Sequence, residues 1–232
     1  PFDPRISEIP DGLSVIYHFG FSSVYNYQIN EQVSIKNDLD SSAKILKYCI
    51  RNSTHLVFIS SSAIYDNNNN SAYKNTKLKI EDLLLNKFEN SFYPLSIIRP
   101  FNIYGIGQNL NFVIPQIFNS LLLKNKLIIY QSNSIRDFIH VKDCINIILG
   151  HNKDYKKPAI FDVGSEDPIS IKNLVKKISM VTKVDYESLI ELRKSPQSSK
   201  IVSKRNLPFN YKNKYSLDKG IKEMAEYYIT EN

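Results

Sequence analysis

Short apolar runs rich in β-branched residues alternate along this chain with stretches of helical periodicity, and that alternation restricts the fold more than any other feature. Strand-like runs cover residues 13–19, 55–60, 95–99, 127–130 and 159–163, while helical patterns cover residues 38–51, 77–88, 114–123, 141–149, 171–181 and 217–228. The run Leu56-Val57-Phe58-Ile59 has no polar alternation, as expected of a strand covered on both faces. Strands separated by helices predict an α/β fold, a parallel sheet with helices packed against it. With 232 residues and 42% hydrophobic content, the chain can bury one large core or two smaller ones.

Composition then removes several classes of function. No apolar run approaches the roughly 20 residues needed to cross a bilayer, and no cationic, apolar leader opens the sequence, so no membrane partner is expected. The two cysteines, Cys49 and Cys144, each sit inside an apolar helical pattern, which argues against a disulfide framework and for a reducing, cytoplasmic setting. The four histidines, His18, His55, His140 and His151, are too widely separated to form a metal signature, and no metal is expected. The net charge of +7 comes from lysines scattered over the whole length. Its densest stretch, residues 194–214, carries no nucleic-acid motif and is read as a solvated surface or an attraction for a small phosphorylated ligand.

The chemistry concentrates between Ser60 and Lys77. The strand-like run ending at Ser60 leads directly into Ser61-Ser62-Ala63-Ile64-Tyr65, and the polar loop Asn67-Asn68-Asn69-Asn70 precedes Tyr73-Lys74-Asn75-Thr76-Lys77. Spacing of four places Tyr73 and Lys77 on one face of the helix they open. A phenol with an ordinary pKa of about 10 must have its anion favoured by roughly three units to act as a base near neutrality. A lysine one turn on and the positive helix end supply attraction of that sign, and a strand-end serine can hydrogen-bond the reacting oxygen. The alternative is an ordinary solvated pair, and Tyr215 with Lys219 shows that the spacing also arises without such surroundings.

Two further segments carry candidate contacts. In Arg99-Pro100-Phe101-Asn102-Ile103-Tyr104-Gly105, a loop after a buried strand, Asn102 would project at the same sheet edge as Ser61 and orient a phosphate or sugar oxygen, or simply form a turn. In Ile135-Arg136-Asp137-Phe138-Ile139-His140-Val141-Lys142-Asp143, Arg136 would clamp a diphosphate or pair with Asp137 or Asp143.

Taken together and in this order, these blocks resemble the extended short-chain dehydrogenase/reductases, specifically the NAD-dependent epimerase/dehydratase branch that acts on nucleotide-activated sugars. Val15-Ile16-Tyr17-His18-Phe19-Gly20 resembles the family's strand beside the cofactor, and Ser41-Ser42 through Cys49 resembles its Gly-Thr helix, with Asp38 where asparagine is usual. Phe161-Asp162-Val163-Gly164-Ser165 matches a further block. The resemblance implies Ser61, Tyr73 and Lys77 as catalytic residues. It implies Phe19, Gly20, Ser60, Tyr73, Lys77 and Pro100 as contacts to NAD or NADP, and Ser62, Asn102 and Arg136 as contacts to a nucleotide-sugar substrate. It also implies a homodimer.

The implied reaction is epimerisation through a transient 4-keto sugar, with reduction of a keto sugar as the alternative. A non-catalytic sugar-nucleotide binding module is the alternative of another class. Family members that dehydrate sugars resemble one another in carrying Asp-Glu after the catalytic threonine, whereas Ser62-Ala63 here supplies neither acid nor base. The family's opening strand and Gly-x-x-Gly-x-x-Gly turn do not precede the residue-18 strand. The expectation is therefore an N-terminally truncated Rossmann-like sheet formed by residues 1–115 and about 140–164, with a smaller α/β substrate lobe formed by residues 116–139 and 165–232.

Overall fold

The computed structural model of the protein describes residues 9–67, 70–90, 93–150, 158–204 and 206–230. Asn68 and Asn69 of the polar loop, His151, and Arg205 of the basic stretch lie outside the described residues. The chain divides into two units, one drawn from Pro1–Pro100, His151–Asp162 and Asn206–Phe209, the other from Phe101–Gly150, Val163–Arg205 and Asn210–Asn232.

The first unit is built on a sheet of β1 (Val15–His18), β2 (His55–Ile59), β3 (Leu95–Pro100) and β7 (Ala159–Val163), in that spatial order. β1, β2 and β3 run parallel, with Val15 beside His55 and Leu56 beside Leu95. All five residues of β2 are buried, which is why its sequence lacks alternation. The helices are α1 (Val24–Ile29), α2 (Glu31–Asn52) and α3 (Ala72–Asn90). Cys49 of α2 and Ile80 and Leu84 of α3 close a core with Leu56, Phe58, Leu95 and Ile97 of the sheet. Cys49, like Cys144, is a buried free thiol, which burial pushes up to about 12.

The second unit contains β4 (Asn102–Tyr104), α4 (Val113–Leu123), β5 (Leu127–Ile129), β6 (Ile135–His140), α5 (Val141–Gly150), β8 (Pro168–Ser170), α6 (Ile171–Thr182), β9 (Ile190–Leu192), β10 (Lys200–Ile201) and α7 (Leu217–Thr230). β6 pairs in parallel with β4 and β10 and antiparallel with β8, and β5 pairs in parallel with β9. Ile117, Phe118 and Leu121 of α4, Leu174 and Ile178 of α6, and Ile221 and Met224 of α7 share its core.

Three differences from the sequence reading have physical causes. The helix expected from residue 38 begins at Glu31, because its buried face is polar at the start: Ser34, Asp38, Ser41 and Ser42 are buried before the apolar Ile45 and Leu46 take over. Apolar periodicity is blind to such a face. α1 has only six residues and is held by a reciprocal Ser23–Asn26 capping box, too short for any period to register. The segment read as a loop at Asn102 is the strand β4, paired with β6 rather than with the sheet that carries β2. Among the described residues no helix is long and apolar enough to cross a membrane.

Candidate active site

The carboxyl ends of three neighbouring strands of the first unit converge on the expected chemistry. Phe19 and Gly20 follow β1, Ser60 and Ser61 follow β2, and Pro100 ends β3. Ligands of open α/β sheets bind at this end. Phe19 is exposed and Gly20 half-buried, while Ser60 and Pro100 are buried. Ser61 caps a single 3-10 turn, Ser62–Tyr65, its hydroxyl accepting from the Ala63 N–H at 3.1 Å. Ser62 is buried inside that turn.

α3 starts one residue before Tyr73, so Tyr73 and Lys77 both lie in its first two turns. Lys77 is 2% exposed, and its ammonium donates to the Ile59 carbonyl at 2.7 Å, tying α3 to the end of β2. The same ammonium stands 3.4 Å from the centroid of the Phe21 ring, 4.9 Å from that of Phe58 and 5.8 Å from that of Tyr73. Phe21 and Tyr27 meet the Tyr73 ring edge-on at centroid distances of 5.7 and 5.6 Å. Lysine therefore sits in an aromatic box, where cation–π attraction offsets part of its lost hydration.

Burial dominates the electrostatics. It pushes Lys77 down to about 7, against the pull of Asp38 and Glu81. It also raises the Tyr73 phenol above its ordinary value, with a hydrogen bond to the Ser61 side chain acting in the opposite direction and Asp38 adding to the rise. Desolvation of the phenolate thus outweighs the easing toward the anion that the Ser61 hydrogen bond provides. His18, hydrogen-bonded through Nε2 to Ser42 at 3.0 Å, is pushed down to about 4 by burial and by the nearby Lys77.

Asn102 and Arg136 belong to the second unit. Asn102 donates through Nδ2 to the Asp137 carbonyl at 2.8 Å. Arg136 Nη1 donates to the carbonyls of Ile135 at 3.0 Å and Ser199 at 2.7 Å. The two carboxylates weighed as its partners hold other groups: Asp137 accepts from Ser165 and Ser203, and Asp143 from Tyr211 and the Lys214 and Tyr215 N–H groups. Tyr215 precedes α7, so Tyr215 and Lys219 are not a helical pair, and the Lys219 ammonium merely covers the Tyr215 ring at 4.1 Å.

Two groups of residues beside the site escaped the sequence reading. One is the Phe21–Tyr27 box described above. The other is a chain of hydrogen bonds in which Arg99 forks onto Glu81 at 3.2 and 2.5 Å and donates to the Tyr65 hydroxyl at 2.8 Å, which donates to Asp162 at 2.8 Å. It fixes the turn that follows Ser61 to β3 and α3. Glu81 lies four residues beyond Lys77, a spacing that could have flagged it; nothing local in the sequence marks Tyr65 as its relay.

The family model described as NAD dependent epimerase/dehydratase family matches residues 4–164. The chain belongs to that family. Similar proteins include a GDP-6-deoxy-D-talose 4-dehydrogenase of Aggregatibacter actinomycetemcomitans, 41% identical over 66 residues, which are 28% of this chain and 22% of the relative. An ADP-L-glycero-D-manno-heptose-6-epimerase of Brachyspira hyodysenteriae is 25% identical over 191 residues, 74% of this chain and 60% of the relative. The chain thus spans less than two thirds of the length of either. Among solved structures, a UDP-N-acetylglucosamine 4-epimerase from Methanobrevibacter ruminantium superposes with a TM-score of 0.85 at 22% identity, covering 99% of this chain and 81% of that one. At that identity the likeness is one of fold, and it is the Rossmann-like α/β fold of epimerase/dehydratase family structures.

For a nicotinamide dinucleotide, the family's cofactor, the residues present fit. The Ser60 hydroxyl is buried at the strand end with no hydrogen-bond partner among the described residues, a donor and acceptor awaiting a polar group. Lys77 lies one helical turn from Tyr73 on the same wall.

Proposed function

We propose that this member of the NAD dependent epimerase/dehydratase family is a nucleotide-sugar epimerase that works through a transient 4-keto sugar with NAD or NADP, in a cytoplasmic setting. The observation that carries the reading is the meeting of Ser61, Tyr73 and Lys77 at the carboxyl end of β2, in one unit and on two elements tied together by the Lys77–Ile59 hydrogen bond. Phe19, Gly20, Ser60, Lys77 and Pro100 would hold the dinucleotide, whose chemistry there is to take up and return a hydride. Tyr73 would remove the proton from the sugar 4-hydroxyl and give it back. Ser61 would hydrogen-bond that oxygen and hold it in line with the phenol. Lys77, as an ammonium, would favour the phenolate once the proton leaves.

Asn102 and Arg136 keep the substrate-phosphate role that the resemblance implies for them, and Ser62 that of a sugar contact. Neutral Ser62 and Ala63 favour epimerisation over dehydration. The dinucleotide-binding role is assigned to residues 1–115 and about 140–164, and the substrate-binding role mainly to residues 116–139 and 165–232. Homodimerisation is part of the same reading. A net oxidation or reduction at the sugar 4-position is the second reading, supported by the 41% identity to a 4-dehydrogenase over 66 residues.

NAD(H) fluorescence titration separates an enzyme from a binding module that has lost its cofactor: micromolar binding lost in Lys77→Ala supports the former. An epimerase interconverts its sugars with no net consumption of coenzyme, whereas a reductase consumes one NADPH per sugar. Tyr73→Phe is expected to lower kcat about 10²- to 10⁴-fold with dinucleotide affinity unchanged. Unchanged turnover in that variant would remove Tyr73 from the mechanism.

A further inference from the structure

Asp38 is 3% exposed, yet it lies on the part of α2 that faces the candidate site. One carboxylate oxygen accepts from the Ser22 N–H at 3.0 Å and the Ser22 hydroxyl at 2.9 Å, and the other accepts from the Tyr27 hydroxyl at 2.8 Å and the Ser22 N–H at 3.2 Å. Ser22 follows Phe21 directly, and Tyr27 lies in the middle of α1. The carboxylate therefore anchors both walls of the box, Phe21 over the Lys77 ammonium and Tyr27 against the Tyr73 ring. Phe21 and Tyr27 also stack on each other at 6.3 Å between centroids. A full negative charge buried this deeply is retained at a cost unless hydrogen bonds and a nearby cation offset it, and Lys77 is that cation.

We propose that Asp38 is a positioning residue for the Tyr73–Lys77 pair: its carboxylate fastens the Phe21–Tyr27 clamp around them and holds Lys77 in its ammonium form. This rests on the proposed role of Tyr73 and Lys77 as the proton-transfer pair. Among the described residues, the titratable groups that face Lys77 are few. His18 on β1 is held neutral by burial, Glu81 on α3 is engaged by Arg99 of β3, Tyr27 on α1 donates to Asp38, and Tyr73 shares its helix. Among the described residues, Asp38 on α2 is thus the carboxylate that no cation engages directly and that acts on both members of the pair. An amide at this position keeps the shape and most of the hydrogen bonds but supplies no charge.

The test is a pH titration of the purified protein by NMR, following the Cε carbon of Lys77 and the Cζ carbon of Tyr73, in wild type, Asp38→Asn and Asp38→Ala. In Asp38→Asn the midpoint of Lys77 is expected to fall by about one pH unit, while ring-to-ring contacts of Phe21 and Tyr27 with Tyr73 persist. In Asp38→Ala those contacts are expected to be lost as well. An unmoved Lys77 midpoint in Asp38→Asn overturns the proposal, and so do ring contacts that survive in a folded Asp38→Ala. If Asp38→Ala does not fold, the near-isosteric Asp38→Asn decides alone. None of these readouts requires turnover, so a protein inactive on every nucleotide sugar tried would challenge the proposed function without touching this result.

Discussion

At the scale of single residues, the site is governed by desolvation more than by the pairing that its spacing suggests. Lys77 shows this in its link to stability. Its folded-state pKa of about 7 lies below the ordinary lysine value of 10.5, so between those pH values the unfolded chain binds a proton that the folded chain does not. Stability attributable to this group therefore rises with pH from about 7 to about 10.5, and its penalty is full below 7. Lys77→Met keeps the length and removes the charge. It is expected to be more stable than wild type by a few kcal/mol at most near pH 6.5, with the advantage gone by pH 10; thermal melts across that range check it. An advantage that grows with pH would show that burial does not penalise the ammonium. The members of this pair were legible in the sequence because four-residue spacing is local, and so was Ser61 at a strand end. Phe21, Tyr27 and Asp38 were not legible as their neighbours, since the loop after β1, α1 and α2 bring them there.

At the scale of elements, the carboxyl ends of helices and the fastening of the Ser62–Tyr65 turn are the informative features. α2, α4 and α6 end on Ser53, Lys124 and Lys183, each in the left-handed region that glycine occupies without strain. Lys124→Gly and Lys183→Gly are each expected to stabilise the protein by about 0.5–1 kcal/mol, read as a shift of the urea midpoint; a loss of stability would mean that the lysine side chain contributes more than the strain costs. Glu81 pairs with Arg99 inside the first unit, with both side chains at least four-fifths buried. Glu81→Ala strands the guanidinium and is expected to cost about 3 kcal/mol, against well under 1 kcal/mol for Arg193→Ala in the exposed Glu191–Arg193 pair. Equal effects in denaturant titrations would deny the buried pair its special standing. Regular periodicity marked α3, α4, α5, α6 and α7, and the apolar run at residues 127–130 marked β5, whereas the three-residue strands β4, β8 and β9 are too short for a period of two to distinguish them from loops.

At the scale of the whole molecule, each unit closes its own core, and in the second a helix packs through a close approach at glycine. Gly220 of α7 lies against Tyr104 at the end of β4, where an added Cβ would collide with the ring and hydroxyl of a side chain that is 1% exposed. Gly220→Ala, ordinarily favourable in a helix, is expected instead to destabilise by about 1–3 kcal/mol, measured by chemical denaturation; a stabilised variant would show that Tyr104 has room to yield. The sequence by itself determined the α/β class, the order of the main strands and helices, and the placing of serine, tyrosine and lysine at one strand end, because these follow from periodicity and spacing within a few residues. Tertiary structure alone decided that Asn102 sits on a strand of another sheet, that the start of α2 buries a polar face, and that Lys77 rests among aromatic rings with Asp38 behind them. Those outcomes depend on contacts between residues tens of positions apart, and on desolvation, which no local pattern encodes.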